Sequence, residues 1–384
     1  MSDHPSNPAP SAGPAPQPGQ GSPSTQAEPP IVLGEPGRAN GPPGFEITSI
    51  AVEGIRILVG GHQGESRTPY VWAGVLGAGA IHWTTRIPVH TDQDGDVDYA
   101  PELALDASAG GTRLAVGRLG EHWNCSLLVL EEAEGRWSRV EVIPPWRESG
   151  ARGFESGYGK PVILRGGQLF TLANPGSDIR NEPLDEASSA LLQFQKEAGR
   201  WHGTQLPFAP TASDLWWGLS LSPDGSTLVL TTEHHGGAYH LDVYRRESGA
   251  FRVAQSIRLP DTPSDIVFSR SRIVVAGRAL LVLRLAEAGW SEERRIKLPE
   301  SAGTAAGVGT HLTLFASLDH LVVRRADRRV FWVNVDQATV REIPIPESQV
   351  PRDPRLMAMD NVRLFAVLRG EIRWWTFSQT ALQP

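Results

Sequence analysis

Four carboxylates alternate along one short stretch, at Asp92, Asp94, Asp96 and Asp98, and at that spacing they repel unless a cation or solvent offsets the charge. Calcium takes several hard oxygen ligands from such loops, so the run reads either as a calcium site or as a solvated acidic loop. It departs from the EF-hand order, because Gly95 stands fourth rather than sixth and Glu102 eleventh rather than twelfth. A second group, Glu233, His234, His235 and His240, has the side chains of a transition-metal site. Its spacing selects no geometry: His234-His235-Gly236-Gly237 reads first as a turn, with His240 entering the next strand. Apart from the calcium reading, no cofactor is expected.

Other reactive groups are sparse. Cys125 has no intrachain partner and reads as a small apolar strand residue rather than a nucleophile. There is no phosphate-binding Gly-Lys-Ser/Thr loop, no dinucleotide fingerprint, no His-Glu-x-x-His and no Gly-x-Ser-x-Gly elbow. Enzymes that carry compact motifs are therefore disfavoured, while a site assembled from dispersed segments stays open.

Large aromatics suggest contact chemistry instead. Adjacent strand residues point to opposite sides, so one member each of Trp216-Trp217 and Trp374-Trp375 is expected to be exposed, with Trp72 a further candidate. The bland alternative is that they fill the outer parts of the packing. Trp146, Arg147, Arg152, Tyr158 and Arg180 fall on or beside the longest loops, so with Trp216 and Trp374 they form the expected protein-binding set.

The frame that must position these residues shows in the composition. With 31 prolines, 40 glycines and one cysteine in 384 residues, the chain is no coiled coil, disulfide scaffold or collagen-like fibre. Its net charge of -7, with basic residues scattered, argues against an extensive nucleic-acid partner. The opening Met1-Ser2-Asp3-His4-Pro5 has neither a basic start nor an apolar stretch, and no run reaches membrane-spanning length, so no membrane partner and a cytoplasmic location are expected. Residues 1–43 hold 12 prolines, and residues 1–29 are expected to be disordered because they cannot repay their ordering entropy.

From Phe45 onward one pattern returns. An apolar second hairpin strand recurs at 54–59, 111–116, 167–172, 225–230, 272–275, 310–315 and 362–367, preceded in places by turn residues such as Pro223-Asp224-Gly225. A strand, a turn and an aromatic follow, as in Leu127 to Trp137 and Leu191 to Trp201, and then a short strand that closes at proline. Residues 182–199 have helix-forming composition, but aligning Trp201 with Trp137 makes 190–195 a strand. Four strands per unit, repeated about seven times at roughly 49 residues each, predict an all-β, seven-bladed β-propeller of four-stranded antiparallel blades. The last unit supplies only three strands, near 356–359, 362–368 and 372–377. The island Ile31-Val32-Leu33 is expected to supply the fourth, so that 30–34 closes the ring, 35–44 is a linker and 45–384 forms the blades.

Two segments carry a resemblance. Asp106-Ala107-Ser108-Ala109-Gly110-Gly111-Thr112-Arg113-Leu114-Ala115-Val116-Gly117 and Leu221-Ser222-Pro223-Asp224-Gly225-Ser226-Thr227-Leu228-Val229 resemble FG-GAP-like and WD40-like propeller repeats. The Trp-Asp ending and Gly-His opening of WD repeats are missing. Many families of this shape act as rigid interaction platforms, so the resemblance implies a non-catalytic protein-binding or scaffold subunit of a multiprotein assembly, with other protein subunits as partners. A hydrolase or lyase working at the central channel, or a glycan- or metabolite-binding module, is the alternative.

Overall fold

The computed structural model describes residues 31–377 apart from 32, 66–67, 90–98, 107–112, 121–126, 134–135, 144–156, 175–189, 199, 208–211, 235–236, 270, 300–312 and 318–319. For 99–102, 104–106, 113–120, 140, 157–161, 173–174, 190, 212–217, 313–317 and 320 the backbone alone is described.

Seven antiparallel four-stranded sheets make up the unit from Ile31. Blade 1 contains β2 (Phe45–Glu53), β3 (Arg56–Gln63), β4 (Thr68–Leu76) and β5 (Ile81–Pro88). Blade 2 follows with β6 (Tyr99–Asp106), β7 (Arg113–Gly120), β8 (Leu127–Ala133) and β9 (Arg136–Ile143). In blade 3 come β10 (Gly157–Arg165), β11 (Gln168–Asn174), β12 (Ala190–Glu197) and β13 (Arg200–Leu206). The fourth blade is β14 (Ala212–Leu221), β15 (Thr227–His234), β16 (Ala238–Glu247) and β17 (Ala250–Arg258). The fifth is β18 (Asp265–Ser269), β19 (Arg272–Ala276), β20 (Leu280–Ala286) and β21 (Gly289–Ile296). Blade 6 is β22 (Thr313–Ser317), β23 (His320–Arg324), β24 (Val330–Asn334) and β25 (Thr339–Glu342). Blade 7 joins β26 (Met357–Met359), β27 (Arg363–Leu368) and β28 (Glu371–Thr376) to the early strand β1 (Gly37–Asn40). The first strands touch in the order β2, β6, β10, β14, β18, β22, β26 and back to β2, so the sheets close into a seven-bladed propeller.

The apolar runs follow from that geometry. A blade is covered on both faces by its neighbours, so its middle strands need no alternation of apolar and polar residues. Ile57, Leu58 and Val59 are all buried, as are Leu127 through Leu130 and Leu228 through Leu230. Odd and even positions serve different seams: Leu128 and Leu130 pack with Leu58 and Val71 of blade 1, while Leu127 and Val129 pack with Leu169 and Phe194 of blade 3. Every seam has a cluster of this kind.

The ends meet in blade 7. Gly37 pairs with Trp374 and Asn40 with Glu371, so the outer strand is Gly37–Asn40 and the expected linker carries the pairing. The apolar island runs on beside it, with Leu33 bridged to Phe377 and Ile31 buried between blades 6 and 7. The difference has a steric cause: a Cβ at Gly37 would fall 2.0 Å from Cε2 of Trp374, and glycine alone lets the strand lie over that indole.

Blade 6 brings a second correction. The run around 313–317 is its first strand, and the second is His320–Arg324. Both segments are apolar, so hydrophobicity alone does not distinguish them. The strand at Ala190–Glu197 forms as expected, because inter-blade burial overrides its local helix propensity.

Candidate binding face

Within each sheet the turns joining first to second and third to fourth strands leave one face of the ring. The second-to-third turns and the links between blades leave the other.

Several charges on the first face hold blades together. Arg363 Nη2 donates to Gly54 O at 2.7 Å, Arg56 pairs with Glu132 at 2.8 Å and Lys196 with Glu131 at 3.0 Å. Arg165 Nη1 donates to Ser222 O at 3.2 Å, and Arg272 Nη1 meets Asp336 Oδ1 at 2.6 Å. The turn that Arg165 grips is built by Asp224, whose Oδ1 accepts from Ser222 Oγ at 2.6 Å and Ser226 N at 3.1 Å, while Gly225 takes φ 70°. Those donors, Ser222 first, hold the Asp224 carboxyl below its ordinary range.

Strand ends flanking the long segments between Pro88 and Tyr99, Ile143 and Gly157, and Asn174 and Ala190 all lie on the second face. Asp92, Asp94, Asp96 and Asp98 fall between the first pair, but lie outside the described residues, as do Trp146, Arg147, Arg152 and Arg180. Tyr158 lies in β10 opposite Ala173. Trp216 sits where β14 leaves register with β15, between Leu215 and Leu219. Trp374 and Trp375 are both buried, at 8% and 4% exposure, so neither is the open member expected of that pair. Trp374 packs tilted against Phe365, with ring centroids 6.3 Å apart. Trp72 is half-buried, with the Arg86 guanidinium 5.9 Å from its ring.

Two arrangements on this face escape sequence inspection. In blade 4, Asp242 is fully buried and accepts from Thr232 Oγ1 at 2.9 Å. Because that hydroxyl spends its proton on the carboxylate, it must accept from His234 Nε2, 3.1 Å away. His240 stacks on His234 at 3.7 Å between centroids and meets Ser256 Oγ at 3.1 Å. Burial first, and then His234, push the His240 imidazole below its ordinary range. Burial and the nearby Asp242 raise the Tyr244 phenol. The imidazoles of His234 and His240 therefore converge on each other and on a carboxylate, and His235 lies outside the described residues. Among the described residues no group of histidine, cysteine and carboxylate side chains could hold a metal ion. The available signal was Asp242 itself, a carboxylate inside the apolar run Leu241 to Tyr244.

The second arrangement is a pair of arginines at the end of β23. Arg324 Nη2 donates to the carbonyls of Pro351 at 2.8 Å and Arg352 at 2.5 Å, in the link from blade 6 to blade 7. Arg325 donates to Pro299 O in the preceding link and pairs with Asp327 at 2.9 Å. Among the described residues no helix is long and apolar enough to cross a membrane.

No protein-family model matches the sequence, and no curated protein matches it. Solved structures do match in fold. YCF48 bound to a D1 peptide superposes with a TM-score of 0.54 at 12% identity, covering 93% of this chain and 99% of that one. A chain of the mitotic checkpoint complex gives 0.54 at 9% identity over 93% and 99%. The periplasmic gluconolactonase PpgL of Pseudomonas aeruginosa gives 0.51 at 14% identity over 77% and 83%. At these identities the likeness shows that the chain shares the propeller fold.

Proposed function

We propose that the chain is a non-catalytic protein-binding subunit that meets its partner through the face formed by the second-to-third-strand turns and the inter-blade links. The observation that carries this reading is the contrast between the two faces. On one, Arg56, Lys196 and Arg363 are engaged across blade seams; the other is where the long connections and the arginine-rich turn of blade 6 emerge. Two structures of similar fold, YCF48 with a D1 peptide and the mitotic checkpoint complex, come from protein assemblies, which supports the reading. Trp146, Arg147, Arg152, Tyr158, Arg180 and Trp216 remain the proposed contact residues, and Asp92, Asp94, Asp96 and Asp98 remain a proposed calcium loop. Trp374 is better assigned to the closure of blade 7.

Quantitative capture with the full chain beside its Trp146→Ala/Arg152→Ala/Arg180→Ala variant tests the proposal. A stoichiometric protein partner held by the wild type and lost by an equally stable variant is expected. Likeness to a gluconolactonase makes turnover at the channel the competing outcome. Lactone hydrolysis by a chain that captures no partner would overturn the binding reading.

A further inference from the structure

The turn between β23 and β24 and the link from blade 6 to blade 7 concentrate guanidinium groups on the proposed binding face. Six arginines, at 324, 325, 328, 329, 352 and 355, stand there against Asp327, Glu342, Glu347 and Asp353. Three of those carboxylates are committed. Asp327 pairs with Arg325 at 2.9 Å, Asp353 is gripped by Arg355 Nε at 2.9 Å, and Glu342 is gripped by Arg329.

Arg324 is the unusual member. Its side chain is 4% exposed, two backbone carbonyls hold one nitrogen, and Nε is buried without a hydrogen-bond partner. Among the described residues no carboxylate makes an ion pair with it. A guanidinium kept from water is costly, and here Asp353 and Asp327 offset that cost only from a distance. Burial pushes it below its ordinary range; Asp353 opposes that shift and Arg328 adds to it. Arg352 is exposed, Arg328 is half-buried, and neither forms an ion pair among the described residues. Arg352 is joined to the buried group through its own carbonyl.

We infer that this rim is a carboxylate anchor and that the partner segment docking on it is acidic; the inference rests on the protein-binding reading. Arg328 and Arg352 make the contacts, since their planar forks fit carboxylates bidentately. Arg324 lies beneath as a positioning residue, holding the Arg352 backbone and supplying positive charge where screening is weak. The chain's net charge of -7 repels an acidic peptide elsewhere, so binding must be local.

Fluorescence anisotropy with a labelled octaglutamate peptide, against an octaglutamine control, tests this on the full chain. Octaglutamate is expected to bind, more weakly at about 200 mM than at about 50 mM salt. The Arg328→Gln/Arg352→Gln variant, whose changes lie at the rim rather than in the core, is expected to weaken binding about tenfold. Arg252→Gln/Arg284→Gln, exposed on other blades, is expected to leave it unchanged. Arg324→Met is expected to weaken it as well if that variant melts as the wild type does. Equal binding of the two peptides, equal loss in both double variants, or binding of a phosphoserine peptide without octaglutamate would each overturn the inference. Partner capture that survives Arg328→Gln/Arg352→Gln but fails in the loop variant would remove this inference and leave the protein-binding reading standing.

Discussion

Arg324 and Arg325 are sequence neighbours whose guanidinium groups reach to opposite sides of blade 6, one to the carbonyls of Pro351 and Arg352 and the other to that of Pro299. Successive strand residues point to opposite faces, and here that alternation ties both flanking links to one strand end.

Arg325→Ala leaves Asp327 without its buried partner and frees the Pro299 carbonyl, so it should cost about 2–4 kcal/mol. Denaturant unfolding at neutral pH measures the loss. A variant as stable as the wild type would show that the link holds itself.

A quieter device spans the outer strands. Four residues after Phe251, Gln255 accepts from Trp290 N at 2.7 Å and donates to Trp290 O at 2.7 Å in the next blade. Four residues after Trp137, Glu141 accepts from Trp201 N at 3.2 Å. Gln255→Leu should destabilise by about 1–2 kcal/mol, and the effect should add to that of Glu141→Leu because the seams are separate. Strong coupling between the two substitutions would contradict independent clamps.

The stacked histidines set a pH dependence. The His240 imidazole is held below its ordinary value, so the unfolded chain binds the extra proton first as pH falls. That contribution to stability is present above the unfolded value near 6.5 and is lost as pH falls from there through the folded value. Melting temperatures at pH 7.5 and 5.5 should therefore differ less in His240→Gln than in the wild type. Identical pH dependence would remove His240 from the account.

Much of this architecture is readable from residue order. Second strands such as Leu228 to Leu230 are apolar at every position because both faces of a blade are covered, and that signal repeats around the ring. It fails where two neighbouring strands are equally apolar, as in blade 6. It also fails where backbone pairing outweighs side chains, as at Gly37–Asn40, whose most informative residue is a glycine fitted over Trp374. The binding face is less legible. Arg324, Arg325 and Asp242 take their meaning from partners 10 to 28 residues away, and spacing alone does not reveal such pairings.

Closure of the ring by its early strand is the central claim, since the face exists only if both ends share blade 7. Amide exchange and thermal melting of chains beginning at Ile31 and at Gly41 test it most directly. The first should melt as the full chain does, with the Glu371–Thr376 amides protected. The second loses the β1 pairing and the burial of Ile31, at about 1.5–3 kcal/mol for that side chain alone, and should melt earlier, with the amides of Glu371–Trp374 that face β1 exchanging. Equal melting and equal protection in the two chains would contradict closure by this strand.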